Sequence, residues 1–198
     1  MMSKDQVRRR RRGEELESAL LDAAWDELVD AGFAGLTMES VAVRAHTGVA
    51  VLYRRWANKD ELVLAAIAHY GAAHPVETPD TGTLRGDLVA LLTAFSSSRG
   101  APFIAIVAAA FSGLQVSSGL TPAQAREKIL ADHLRRNDEI IYRRAHSRGE
   151  IDLDRVPVAV LRMPFDLVRH DLLMNLEPLA PSRIASIVDE LFLPLARR

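Results

Sequence analysis

The sequence predicts an all-α protein of about nine helices, with a three-helix N-terminal domain of helix-turn-helix type followed by a C-terminal helical bundle. Apolar residues recur at three- and four-residue spacing through most of the chain, as on the buried stripe of a helix. No period-2 run of β-branched residues competes with that pattern. Boundary residues punctuate it, with Thr37, Asn58 and Thr121-Pro122 as helix starts and Gly32 and Gly149 as stops.

With 198 residues, 48% of them hydrophobic, the chain has the apolar surface for a sizeable core, as one medium domain or a small domain joined to a larger one. Disorder of the whole is excluded. The net charge of −1 conceals an uneven distribution. Lys4 and the run Arg8 to Arg12 face only Asp5, and Arg44, Arg54, Arg55 and Lys59 follow in a stretch without acid, so both ends of the first third are cationic. The absence of cysteine excludes disulfides, cysteine-based zinc sites and thiol nucleophiles. Glu14, Glu15 and Glu17 stand where a secretion signal would turn apolar, so a cytoplasmic protein is expected. Pro102 to Val116 falls short of the roughly 20 apolar residues of a membrane span and reads as a buried core helix.

Leu16, Leu20, Ala24, Leu28 and Ala31 form the inward stripe of a first helix, Glu14 to Ala31. Thr37 caps a short helix with Val41, Ala42 and Ala45 inward. His46, Thr47 and Gly48 make a turn before a second short helix, Val49 to Trp56. Two short helices across a tight turn form the helix-turn-helix pattern. Asn58 with Glu61 makes a capping box for a helix through Tyr70. Pro75, Pro79 and Gly82 interrupt any helix between His74 and Thr83. The expected organisation is a basic flexible arm over 1–13, a helix-turn-helix DNA-binding domain over 14–73, and a C-terminal domain over 82–198. Its helices lie near Leu84 to Ser98, Pro102 to Val116, Pro122 to Ser147, Val156 to Leu176 and Ser182 to Ala196. Pro164 should kink or break the fourth of these.

A helix entering the major groove needs small or polar side chains in its first turn, with cations and hydroxyls around it for phosphates. Gly48, Val49, Ala50 and Val51 keep the helix slim, and Ala50 and Val51 suit thymine methyl groups. Tyr53, Arg54 and Arg55 can reach phosphates, and Arg44 a phosphate or a guanine edge. Thr37 and Lys59, at the starts of their helices, read as phosphate clamps backed by outward N–H groups. The arginine run, Arg11 and Arg12 included, suits the DNA backbone or minor groove, or else is a solvated tail. Leu52 and Trp56, four apart, face the core, and Tyr53 lies off that face.

The block Gly35-Leu36-Thr37-Met38-Glu39-Ser40-Val41-Ala42, with Ala45, Leu52-Tyr53-Arg54-Arg55-Trp56 and Lys59-Asp60-Glu61-Leu62, resembles the N-terminal domain of the TetR family of bacterial regulators. Pro79-Asp80-Thr81-Gly82-Thr83-Leu84-Arg85-Gly86-Asp87-Leu88 resembles the opening of the ligand-binding half in an actinobacterial-type subgroup. The resemblance implies a homodimer on double-stranded DNA, with recognition helices roughly 34–36 Å apart on a pseudo-palindromic operator. It further implies repression by occlusion, relieved by a small-molecule effector, with no cofactor, metal or membrane involved. The turn departs from the family pattern, which has glycine, a small apolar residue and serine or threonine where this chain has His46, Thr47 and Gly48. Gly48 forgoes the hydroxyl cap, leaving Thr47 to cap or His46 to meet DNA. Trp56 replaces the usual phenylalanine.

In the family the C-terminal half binds a small molecule, and its last two helices pair with a second copy. Leu172, Leu173, Leu176, Ile184, Ile187, Val188 and Leu191 offer more apolar surface than one hairpin buries, which fits a dimer interface or packing within the chain. Phe95, Phe103, Ile106, Val107, Phe111, Met163 and Phe165 are candidate pocket walls, and each also fits a plain core position. Arg162, Asp166 and His170 stand four apart on one face, as a ligand contact set, an interface network or a solvated face. Asp171, beside His170, points away from it on a helix. No zinc-helix spacing, glycine-rich phosphate loop or Gly-X-Ser-X-Gly motif supports an enzyme. The alternatives are a sequence-tolerant nucleoid-type DNA-binding protein and a small-molecule-binding or enzymatic helical protein.

Overall fold

The first helix, α1, spans Lys4–Gly35 and leaves helical backbone at Gly32, with φ 67° and ψ 175°, where the sequence places a stop. The computed structural model describes residues 4–97, 103–110, 113, 121, 124, 134–175 and 177–197, with side chains from 13 and, past 133, from 137. Among these residues every regular element is helical, and no helix is long and apolar enough to cross a membrane. They fall into two compact units. One holds the residues up to His74 with part of Ala109–Ala131, and the other holds Pro75–Ala108 and Asp132–Arg198.

In the first unit, α1 is followed by α2 (Met38–Arg44), α3 (Val49–Tyr53) and α4 (Lys59–Ala73). Leu20, Ala24 and Leu28 of α1 are buried with Leu62, Val63, Ala66 and Ile67 of α4, and Trp25 stacks on Tyr70 with ring centroids 4.0 Å apart. Leu16 and Ala31, at the two ends of the predicted stripe, are exposed. The basic run differs from the expected flexible arm, because its backbone continues α1 back to Lys4. Arginine is a good helix former, and the first helix breaker after the run is Gly13.

In the second unit, α5 spans Leu84–Phe95, α6 covers 103–110 with its residues to Ala108 in this unit, α7 spans Leu134–Ser147 and α8 Val158–Asn175. The last helix, α9, runs as Pro181–Ser186, then a π-helical Ile187–Phe192, then Leu193–Ala196. Leu84, Leu88, Leu91 and Leu92 of α5 share one core with Ile141 and Tyr142 of α7, Val168 and Leu172 of α8, and Ile187, Val188 and Phe192 of α9. Gly149, at φ 74°, ends α7 as predicted.

Of the kink or break expected at Pro164, the break does not occur, and α8 continues through it. A proline inside a helix removes one N–H and crowds the carbonyl four residues back. Here its ring is buried, and the hydroxyl of Tyr142 donates to the nearby Leu161 carbonyl at 2.6 Å, so the disturbed turn is supported from α7.

Candidate nucleic-acid interface

Thr37 opens α2 with a capping box. Its side chain accepts from the Ser40 N–H at 2.9 Å, while the Thr37 N–H donates to Ser40 Oγ at 3.0 Å. Past α2 the chain reverses through His46, a left-handed residue at φ 50°, and the Thr47 N–H donates to the Ala42 carbonyl at 2.9 Å. Glycine would take this conformation without cost, so the departure at position 46 carries backbone strain. Gly48 is the N-cap of α3, extended at φ −83° and ψ 140°, with no side-chain cap. Thr47 therefore does not replace the missing hydroxyl.

Leu52 and Trp56 anchor α3 in the core, as their spacing predicts. This anchoring turns Ala50, Tyr53 and Arg54 to solvent, with Val49 and Val51 half-buried beside them. Thr37 and His46 are exposed and Thr47 half-buried, so the small and polar residues expected around the groove-facing helix flank it. Asn58 caps α4 by accepting from the Glu61 N–H at 2.9 Å.

The cations divide differently from the sequence expectation. Arg44 does not project as a free phosphate or guanine contact: Nε lies 2.7 Å from Glu27 and Nη2 2.7 Å from Asp30, both on α1. Hydrogen bonds to Asp30 and then Glu27 raise its pKa further above the ordinary value. Lys59 is also committed. Its ammonium donates to the Phe33 carbonyl at 2.7 Å and sits 4.2 Å from the centre of the Phe33 ring, satisfying an acceptor at the end of α1. Arg55 bends back toward the Val51 carbonyl at 3.5 Å and Glu17 at 4.0 Å. Arg54 is exposed and has no ion-pair partner among the described residues. The side chains of Arg11 and Arg12 lie outside the described residues. Glu17, Glu27, Asp30 and Phe33 are the partners that sequence reasoning missed; the three-residue step from Glu27 to Asp30 on one helix face is the signal for the Arg44 fork.

In the second unit, Phe95 and Phe165 meet edge to face with centroids 6.1 Å apart, half-buried against the core along with Met163. Phe103 and Ile106 are half-buried and Val107 is buried, while Phe111 lies outside the described residues. The polar residues Asp166 and His170 of α8 pair with their own helix neighbours. Asp166 pairs with Arg169 at 2.7 Å, and His170 is exposed with Nδ1 3.3 Å from Asp171. Asp171 thus reaches His170 rather than pointing away, and its other oxygen holds Arg183 Nε at 2.7 Å.

The candidate interface residues divide by face. Leu172, Ile184, Ile187 and Val188 are buried within their own chain, so they are core and not a free face. Periodicity marks an apolar stripe without saying which neighbour covers it. Leu173 is half-buried, Leu191 is exposed, and Leu176 lies outside the described residues. The large apolar residues left exposed among the described residues of α8 and α9 are Val158, Met174, Leu191 and Leu195.

Residues 20–66 match the family model described as bacterial regulatory proteins, tetR family, and residues 78–191 match that of the tetracyclin repressor-like C-terminal domain. The chain belongs to the TetR family. As a TetR-family member it is a DNA-binding regulator of transcription and not an enzyme. It is 43% identical over 81 residues to a DNA-binding transcriptional repressor TetR of Mycobacteroides abscessus, covering 41% of this chain and 43% of that protein, less than half its length. An uncharacterized HTH-type transcriptional regulator of Mycobacterium tuberculosis is 29% identical over 92% of this chain and 88% of its own. Among solved structures, the TetR family transcription regulator SCO0332 superposes with a TM-score of 0.66 at 27% identity, over 90% of this chain and 97% of that one. A putative TetR-family regulator of Mesorhizobium loti shares the fold at a TM-score of 0.62 and 13% identity, over 92% and 97% of the two chains.

Proposed function

We propose that this TetR-family regulator is a homodimeric repressor that holds a pseudo-palindromic operator of double-stranded DNA and releases it when a small-molecule effector binds the C-terminal domain. The observation that carries the DNA half is α3: buried Leu52 and Trp56 fix a short helix whose outward side is small at Ala50 and bears at its far end Tyr53 and Arg54, exposed and without an ion-pair partner among the described residues. Residues 14–73 serve as the DNA-binding domain and 82–198 as the effector and dimer domain. Exposed Val158, Met174, Leu191 and Leu195 on the last two helices support pairing with a second copy. The repressor sense is supported by the name of the Mycobacteroides abscessus relative. An effector lowers DNA affinity by its differential affinity for two states of the dimer.

The test is selection of bound sites from random double-stranded DNA by the full chain, repeated after addition of a metabolite mixture. A palindromic consensus lost on addition of metabolites is the expected result. A flat selection governed only by salt would instead favour a sequence-tolerant DNA-binding protein.

A further inference from the structure

From Gly48 to Val51 the turn and first turn of α3 carry no side chain with a hydrogen-bond donor or acceptor. Ala50 is exposed, and Val49 and Val51 are half-buried, so this surface shows methyl groups and backbone to solvent. A Cβ built at Gly48 would meet nothing within 4 Å, which leaves the approach to this turn open. The polar and charged neighbours stand at its borders, His46 and Thr47 before it and Tyr53 and Arg54 after it.

Side-chain hydrogen bonds distinguish guanine, adenine and cytosine edges in the major groove, whereas an alkyl group recognises the C5-methyl group of thymine. An alkyl group pressed against a bare polar base edge strips its water without replacing the hydrogen bond, so the wrong base is penalised as the right one is favoured. Arg54, free of any ion pair among the described residues, is placed to fix the register on phosphate without reading sequence. We infer that the first turn of α3 reads C5-methyl groups in the major groove, through Ala50 with Val49 and Val51, and that thymine positions specify this part of each half-site. The inference rests on the DNA-binding reading above and deepens it to the chemistry of the recognised base. 5-Methylcytosine carries the same methyl group and shares that chemistry.

The experiment uses the full chain and the duplex it selects from random DNA. Each thymine of a half-site is replaced in turn by deoxyuridine, and cytosine placed at the sensitive positions is compared with 5-methylcytosine. Loss of one contacted methyl group should weaken binding roughly three- to ten-fold, and 5-methylcytosine should bind more tightly than cytosine at the same position. In Ala50→Gly the deoxyuridine penalty at one position should vanish while the others persist. Because that readout compares two duplexes on the same variant, loosening of the helix does not imitate it. A consensus duplex indifferent to every uridine substitution, or equal binding of cytosine and 5-methylcytosine, overturns methyl reading and leaves operator binding standing. A selection with no consensus overturns the operator reading and this inference with it.

Discussion

Asp87, fully buried in the first turn of α5, accepts hydrogen bonds from both the backbone N–H and the hydroxyl of Thr81, at 2.6 and 2.8 Å. Its second oxygen lies 3.4 Å from Arg148 Nη2, whose Nε bonds Glu150 at 2.7 Å, and Glu150 in turn accepts the Leu84 N–H at 2.9 Å. The two carboxylates thereby accept from donors at and just before the start of α5, and the guanidinium, a donor itself, bridges them. Removing the buried acceptor strands all its donors, so Asp87→Ala should lower stability by about 2–4 kcal/mol, against about 1–2 kcal/mol for Thr81→Val, which loses the hydroxyl bond to the carboxylate but keeps the N–H bond. Urea denaturation of the two variants checks the order. Equal losses would mean that the carboxylate is not the hub.

The second unit should weaken in acid for an identifiable reason. The Arg85 hydrogen bond holds the Asp189 carboxyl below its ordinary pKa, and the Arg183 hydrogen bond does the same for Asp171. A carboxylate whose folded pKa is depressed adds stability that is present above the unfolded value, near 3.9, and fades as pH falls through the folded value. Arg85→Gln combined with Arg183→Gln should therefore melt below the parent protein at pH 7, with the gap closing as pH drops under about 4. Thermal midpoints measured from pH 7 to pH 2 test this, and a gap that stays constant would rule the linkage out.

How far the sequence could be read depends on the length scale of each interaction. Helices and caps are local, so Thr37, Asn58, Gly149 and the inward Leu52 and Trp56 were legible from spacing alone. The arm was not, because a basic run composed of helix formers fits either a tail or a helix. The segment from Pro79 to Leu88 could be recognised but not explained. In the structure Gly86 is small because a Cβ there would collide with the Thr81 hydroxyl and come within 2.9 Å of that of Thr83. The fate of the cations was hidden because Arg44 and Glu27 are 17 residues apart, and Lys59 and Phe33 are 26 apart. On α8 and α9 apolar residues occupy more than one face, so periodicity could not separate core Ile187 and Val188 from exposed Leu191.

The α2–α3 turn makes opposite predictions for two substitutions at one residue. A β-branched side chain is poorly accommodated at His46, whose φ of 50° lies in the left-handed region, whereas glycine adopts it freely. His46→Val should lose about 1 kcal/mol and His46→Gly should stay within about 0.5 kcal/mol of the parent. At Gly48, extended and with open space around its Cβ position, Gly48→Ser should add a few tenths of a kcal/mol by capping α3. Thermal melts separate these cases. If the two variants at His46 proved equally stable, the left-handed turn would not persist in solution.

Lys59 and Arg54 should trade the roles that charge alone suggests. Lys59 is spent inside the fold on the Phe33 carbonyl and ring, so Lys59→Met should cost about 1–2 kcal/mol of stability and barely change the salt dependence of DNA binding. Arg54 is exposed, so Arg54→Ala should leave stability within about 0.5 kcal/mol of the parent. It should weaken binding to all DNA sequences alike and reduce the slope of log K against log salt by about 0.9 for each subunit that loses a phosphate contact. Measuring both variants by denaturation and by salt titration of DNA affinity crosses the two readouts. A changed salt slope in Lys59→Met would show that Lys59 leaves Phe33 for phosphate when DNA is bound, whereas an unchanged slope in Arg54→Ala would move the phosphate contact elsewhere on α3.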